Sequence, residues 1–378
     1  MLNKVVNLFY FMQQTKLKFM KRTKLKNNHR GASLRKARTA GRAVAAMLAT
    51  AMMTGALQAV DWDHLIINDH TVILEGTEDG GVWRYSRANN VTLVSGTLLA
   101  GDMRPEAVAL ELMGGIFDAQ SGSIMADLVG TGVFTKSGFG TTVELEYQST
   151  FTGEFQVLQG TLQTNVDNAF ANASALRVSG TLNIQDTTQS VMGDINNAGY
   201  ILGTGTLSSS VSGKINLNSG VVEAVLGDYI DELDPANNKV NSLYKNLDDS
   251  LGILANVNTY TGYTVINGGT LQVTVNNAIA ASFALQVLGA GASFDIAGTE
   301  QEVRFLLLAD GKIEDTVGGG RIISLDFYDV RKGTIEAELG GNESLRKTGA
   351  DTVDLNAVAS YTGLTSVSEG RLRTHGNN

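Results

Sequence analysis

Short runs of Val, Leu, Ile and Thr recur along most of the chain, separated every several residues by Gly, Asn, Asp and Ser. Within the runs, apolar side chains take alternate positions. Period two puts one face of a segment inside and the other in water, so the pattern predicts many short strands joined by tight turns. Val157, Ile266 and Val367 hold a consistently apolar phase, while Gln156, Val265 and Ser366 hold a mixed one. Beyond the next glycine, Leu162, Leu271 and Leu372 stay apolar, and Gln163, Gln272 and Arg373 are polar. Stretches 64–67, 71–74, 91–94 and 107–112 read as strands of N-terminal coils or a cap, and 200–224 as further coils. One segment breaks the rhythm. Asp234 and Pro235 form an N-cap and first-turn pair, and Val240, Leu243, Tyr244, Leu247 and Leu251 follow at helical spacing. This predicts a short amphipathic helical insertion near 235–249, shielding a flank of the strands or offered to a partner.

The chain writes one segment three times: FTGEFQVLQGTLQT from Phe151, YTGYTVINGGTLQV from Tyr260 and YTGLTSVSEGRLRT from Tyr361. In each, Thr-Gly follows the aromatic residue, and a second Gly (Gly160, Gly269, Gly370) and a Leu (Leu162, Leu271, Leu372) lie at fixed offsets. Leu145, Leu254 and Leu355 precede the aromatics at constant spacing. The similarity continues outward: DNAFANASALRV from Asp167 matches NNAIAASFALQV from Asn276, and KSGFG at Lys136 is similar to KTGAD at Lys347. A strand, glycine turn, strand unit cannot bury its apolar face alone, but stacked copies share a core and complete each other's backbone hydrogen bonds.

At these residues the chain resembles the autotransporter-associated β-strand repeat of type V secreted passenger proteins, most closely at Tyr260–Val273. The resemblance extends over about 130–184, 251–296 and 341–374. It implies an all-β, right-handed parallel β-helix (a β-solenoid) exported through the inner membrane and displayed at, or released from, the outer surface. A complete autotransporter also carries a translocator β-barrel in the outer membrane. The chain stops at Asn378 directly after a repeat, so the barrel is expected elsewhere: either this is a fragment or another protein secretes it.

Charge adds an export signal. The first sixty residues hold twelve Lys and Arg and no Asp or Glu. An uncharged run from Ala43 to Ala59 follows Arg42, with Val44, Met47, Leu48, Met52, Met53 and Leu57 among small residues. This reads as a signal peptide over 1–59 with a long basic n-region, cleaved after Ala56 or Ala59, and a β-helical passenger over 60–378. A membrane anchor is the competing reading, but the run is short for a span. Met20, followed by Lys21 and Arg22, is an alternative start. Beyond the leader, 17 basic residues face 38 acidic ones. That balance disfavours nucleic acid and anionic membranes as partners. There is no Cys, hence no disulfide framework.

Candidate chemistry is sparse. Past the leader the histidines are His64, His70 and His375, which is little material for a triad or a transition-metal site. Gly130-x-Gly132, Gly203-x-Gly205 and Gly289-x-Gly291 open no helix of a βαβ unit and read as turn glycines, as does 318–320. Acidic pairs Asp61/Asp63, Glu78/Asp79, Asp231/Asp234 and Asp248/Asp249 are the carboxylates a glycan-cleaving β-helix enzyme would need, yet they read as solvated charge in turns or on the helix. Glu78-Asp79 or Asp295 offer at most a weak calcium contact. The expectation is therefore a non-enzymatic structural rod or adhesin with no catalytic, cofactor or metal residues, its partner a host or bacterial surface glycan or protein. A polysaccharide-acting enzyme and an inert passenger spacer are the alternatives.

Overall fold

Inward alternation becomes a stack of coils in the computed structural model, which describes residues 61–74, 77–79, 82–84, 86–100 and 109–375. Almost every coil contributes one strand to each of two long sheets. Among the described residues both sheets have fifteen strands, running from Asp61–Ile67 to Thr365–Val367 in the first and from His70–Leu74 to Arg371–Thr374 in the second. Two three-stranded side sheets close a third flank in places: Gln189–Val191, Thr206–Ser209 and Val225–Leu226, then Glu300–Val303, Arg321–Ser324 and Glu338–Gly340. Pairing between coils is parallel throughout. Thr77–Asp79 and Val82–Arg84 form an antiparallel pair within one N-terminal loop.

Register is kept so well that each inward position forms a ladder. In the first sheet one ladder runs Leu65, Val91, Phe117, Phe134, Phe155, Leu176, Ile195, Ile215, Leu243, then on through Thr264, Leu285, Leu306, Tyr328 and Leu345. In the second sheet Val143, Leu162, Leu182, Ile201, Val222, Leu254 and Val273 form another. These side chains are buried, and all but Thr264 belong to one continuous hydrophobic core. Parallel strands are about 4.8 Å apart, so like side chains meet face to face. Phe155 shows the result: its ring lies 4.8 Å from Phe134, 5.5 Å from Phe151 and 5.2 Å from Phe170.

The helix expected near 235–249 is absent. Asp234 caps as predicted, accepting from the Ala236 N–H at 3.0 Å, but only a 3-10 turn at Pro235–Asn237 follows. Ser242–Lys245 is instead a strand of the first sheet, with Leu243 and Lys245 inward. A helix here would bury its stripe only against its own surface. The strand extends the inward ladder at Leu243 and pairs with Lys214, Ile215 and Asn216 of the preceding coil. Val240, Leu247 and Leu251, assigned to the apolar helical stripe, are all exposed. Gly130 and Gly132, expected in a turn, lie inside the strand Asp127–Lys136, at φ 93° and 121°, beside a register shift. The expected signal segment 1–59 lies outside the described residues.

Because Phe155 touches three other rings, Phe155→Ala should destabilise its coils by about 3–5 kcal/mol. Leu233→Ser, at a position 97% exposed, should change stability by less than about 0.5 kcal/mol. Chemical denaturation followed by hydrogen exchange at 134–178 tests this contrast; equal effects would contradict the ladder assignment.

Candidate functional site

The thrice-written unit is a corner, and its most telling residue is a buried lysine. Lys136, Lys245 and Lys347 occupy one ladder of the first sheet that also contains Val157, Val178, Asn197, Leu217, Ile266 and Val330. All three are fully buried. Lys136 Nζ donates to the Gly138 carbonyl at 2.5 Å and the Gln159 carbonyl at 3.2 Å, Lys245 to those of Leu247 at 2.6 Å and Gly268 at 3.2 Å, and Lys347 to those of Gly349 at 2.6 Å and Glu369 at 3.1 Å. Each third bond goes to a nearby acceptor: Thr141 Oγ1, Ser250 Oγ or the Thr348 carbonyl. Only the ammonium form has three N–H donors to fill such a set. Asn197 solves the same problem in its own coil, donating to the Gly199 and Ser219 carbonyls at 3.2 and 3.3 Å. In all four cases the side chain ties its own turn to the turn of the following coil. Burial pushes Lys136 and Lys245 below the ordinary lysine range, partly offset by Asp118 and Asp248 respectively.

This geometry accounts for both glycines of the repeat. Gly160, Gly269 and Gly370 sit at φ 65°, 64° and 71°, where a side chain is strained. A Cβ at Gly160 would lie 2.7 Å from the Lys136 Nζ, and one at Gly269 2.5 Å from that of Lys245. The earlier glycines, Gly153, Gly262 and Gly363, press against backbone carbonyls of the preceding coil. The opening aromatic is matched to the residue four places on. Phe151 packs edge-on against Phe155, whereas Tyr260 and Tyr361 bond Thr264 and Thr365 through their hydroxyls at 2.7 Å. Desolvation raises the buried Tyr260 hydroxyl above the usual tyrosine range, offset in part by its bond to Thr264.

Two buried glutamines escaped the sequence reading. Gln189 accepts from the Ala169 N–H at 2.8 Å and donates to the Val166 carbonyl at 2.7 Å; Gln301 does the same with Ala278 at 2.9 Å and Val275 at 2.7 Å. Each clamps the loop that follows a repeat. The shared Thr-x-Gln at Thr187 and Thr299 is the signal that marks them.

The candidate chemical residues are not gathered. His64 Nε2 lies 2.9 Å from Thr92 Oγ1 on the adjacent strand, and His375 lies 3.3 Å from Asp354 at the other end of the stack. The side chains of His70, Glu78, Asp79 and Asp61 are outside the described set. Asp63 and Asp61 share a strand, not a turn. Asp231 is saturated by its own loop, accepting from the Leu233 and Asp234 N–H groups and from Asn237, which together lower its pKa. Asp295, buried, accepts from Gln272, Thr316 and the Ala297 N–H. Its oxygens are thus spent on protein donors. Among the described residues no group of three or more His, Cys, Asp and Glu is placed to hold a metal ion.

The outer faces differ over the C-terminal coils. On the second sheet Lys312 pairs with Glu314 and Glu336, each at 2.7 Å, and Arg373 with Asp354 at 2.7 Å. On the first sheet rings accumulate beside the Arg331–Asp329 pair at 2.8 Å. Tyr263 and Phe283 stack edge to face at 5.4 Å, and Phe305 and Phe327 lie 4.6 Å apart. Arg304 sits 5.0 Å above Phe283 and Arg346 4.3 Å above Phe327.

Lys245→Met would take the donor from the buried Gly268 carbonyl and leave the Leu247 carbonyl with only the Ser250 hydroxyl, and should cost about 2 kcal/mol. Lys245→Asn, copying Asn197, should recover part of it. Hydrogen exchange of the amides in 242–245 and 269–273 reads the effect; a loss under about 0.5 kcal/mol for the Met variant would show that the cradle is not stabilising.

No curated protein and no solved structure matches the chain. The passenger-associated-transport-repeat family model matches residues 253–273 and 345–373, which hold the aromatic, Thr-Gly and second-glycine positions of the second and third corners. Together, that match and the stacked parallel coils fit an autotransporter passenger domain built from repeats.

Proposed function

We propose that the chain is exported by its 1–59 leader and serves at or beyond the cell surface as a non-enzymatic rod or adhesin, its coils wound right-handed as parallel crossovers almost always are. The passenger-associated repeats imply secretion to the cell surface or extracellular space. The observation that carries the non-enzymatic reading is the use made of polar side chains in the interior. Lys136, Lys245, Lys347, Gln189 and Gln301 all bond backbone of their own or neighbouring coils. Such groups hold coils together and leave recognition to the outward ladders, whose partner is a glycan or protein of a host or bacterial surface.

The test has three parts. Removing Ala43–Ala59 should retain the chain inside the cell. Beads coated with the exported chain should adhere to glycan-bearing cells. Incubation with polygalacturonate and host glycans should release no reducing ends. Reducing ends that vanish on substitution of one Asp or Glu would overturn the non-enzymatic reading, and beads that do not adhere would leave only the rod.

A further inference from the structure

We propose that the aromatic strip on the outer face of the first sheet, formed by Tyr263, Phe283, Phe305 and Phe327 with Arg304 and Arg346, binds an extended acidic polysaccharide. This inference deepens the adhesive reading and rests on it. The rings belong to successive coils: Tyr263 pairs with Ala284 beside Phe283, and Phe305 and Phe327 precede the paired residues Leu306 and Tyr328. Tyr263 and Phe283 are 41% and 44% exposed, too much for core residues, and Phe305 and Phe327 are half-buried. Clustered exposed rings mark a contact surface.

Charge selects the occupant. The chain past its leader is strongly acidic, and several of its arginines pair with carboxylates: Arg87 with Glu111, Arg177 with Glu154, Arg321 with Glu300 and, beside the strip itself, Arg331 with Asp329. Among the described residues Arg346 lies in no ion pair and is exposed over Phe327. Arg304 has only Asp326, at 3.6 Å with both partners exposed, a pair worth little. A guanidinium stacked on a ring keeps its N–H edge for a bidentate carboxylate. Arg304 and Arg346 lie over Phe283 and Phe327, so the rings left to attract the slightly positive C–H face of a pyranose are Tyr263 and Phe305. An acidic peptide fits less well. Peptides dock on sheets by pairing with an edge, and this strip is a sheet face whose strands already pair with the coils on both sides.

The experiment uses the purified full chain and isothermal titration with three probes: an alginate oligomer, a neutral glucan oligomer of equal length and poly-glutamate. Alginate should bind and the other two should bind at least about tenfold more weakly. Arg346→Gln should weaken alginate about tenfold. Phe327→Leu, which keeps an apolar side chain without a ring face, should weaken it also, with unchanged far-ultraviolet dichroism in both variants. Equal binding of poly-glutamate or of the neutral glucan, or unaltered alginate binding in both variants, overturns the proposal. Adhesion without alginate binding refutes the strip and leaves the adhesive reading standing; alginate binding by a chain that holds no cells does the reverse.

Discussion

Everything in this fold follows from stacking parallel coils in register. Neighbouring strands are about 4.8 Å apart, so the backbone of one coil finds its partners in the next, and whatever side chain points inward meets its equivalent above and below. A coil cannot move by one residue without turning its whole apolar set outward. Hence the long ladders, in which Val143, Leu162 and Leu182, or Leu285 and Leu306, repeat one chemistry. The same closeness sets the glycines. At Gly153 and Gly262 the obstacle is the carbonyl of the previous coil, and at Gly160 and Gly269 it is also the lysine ammonium.

A ladder interior is an unwelcome place for charge, which makes the three lysines informative. An isolated buried ammonium is expensive, and each is tolerated because its three donors are met within one turn of the stack. Two of the bonds join carbonyls of consecutive turns, where the chain leaves one sheet for the other and lacks ladder partners. Turn carbonyls pointing inward need a donor as much as the lysine needs acceptors. Asn197 shows that the requirement is a donor at that place more than a positive charge.

How legible this was depends on the range of the interactions. Alternation, the repeat and its glycines are local, and they predicted strands, turns and stacking correctly. The failure at 235–249 is of another kind. Leu243, Tyr244 and Leu247 fit a helical stripe, and nothing local opposes it. What opposes it is the pairing with the coils on both sides, in which Lys245 takes the rung held by Lys136 and Lys347 although KNLDD bears little likeness to KSGFG or KTGAD. The two buried glutamines were hidden for a similar reason: each serves a loop more than twenty residues upstream, across one coil. Phe155 and Thr264, by contrast, show a local rule that three copies suffice to expose, since the opening aromatic gains a hydroxyl only where the residue four places on can meet it.

The interior being committed, variation falls to the outward phase, and the two sheets spend it differently over the same coils. Glu314, Glu336 and Asp354 on the second sheet are matched by Lys312 and Arg373 on their own or adjacent strands. Opposite charges in neighbouring rungs relieve the repulsion that a strict ladder of carboxylates would suffer. On the first sheet rings gather beside the Arg331–Asp329 pair, and Arg304 and Arg346 lie over two of them. Stability does not demand that arrangement, because exposed rings gain only part of their burial energy and invite association. A face that leaves Tyr263 and Phe283 partly exposed, with Arg346 over Phe327 in no ion pair among the described residues, is the surface that the proposed acidic glycan would use.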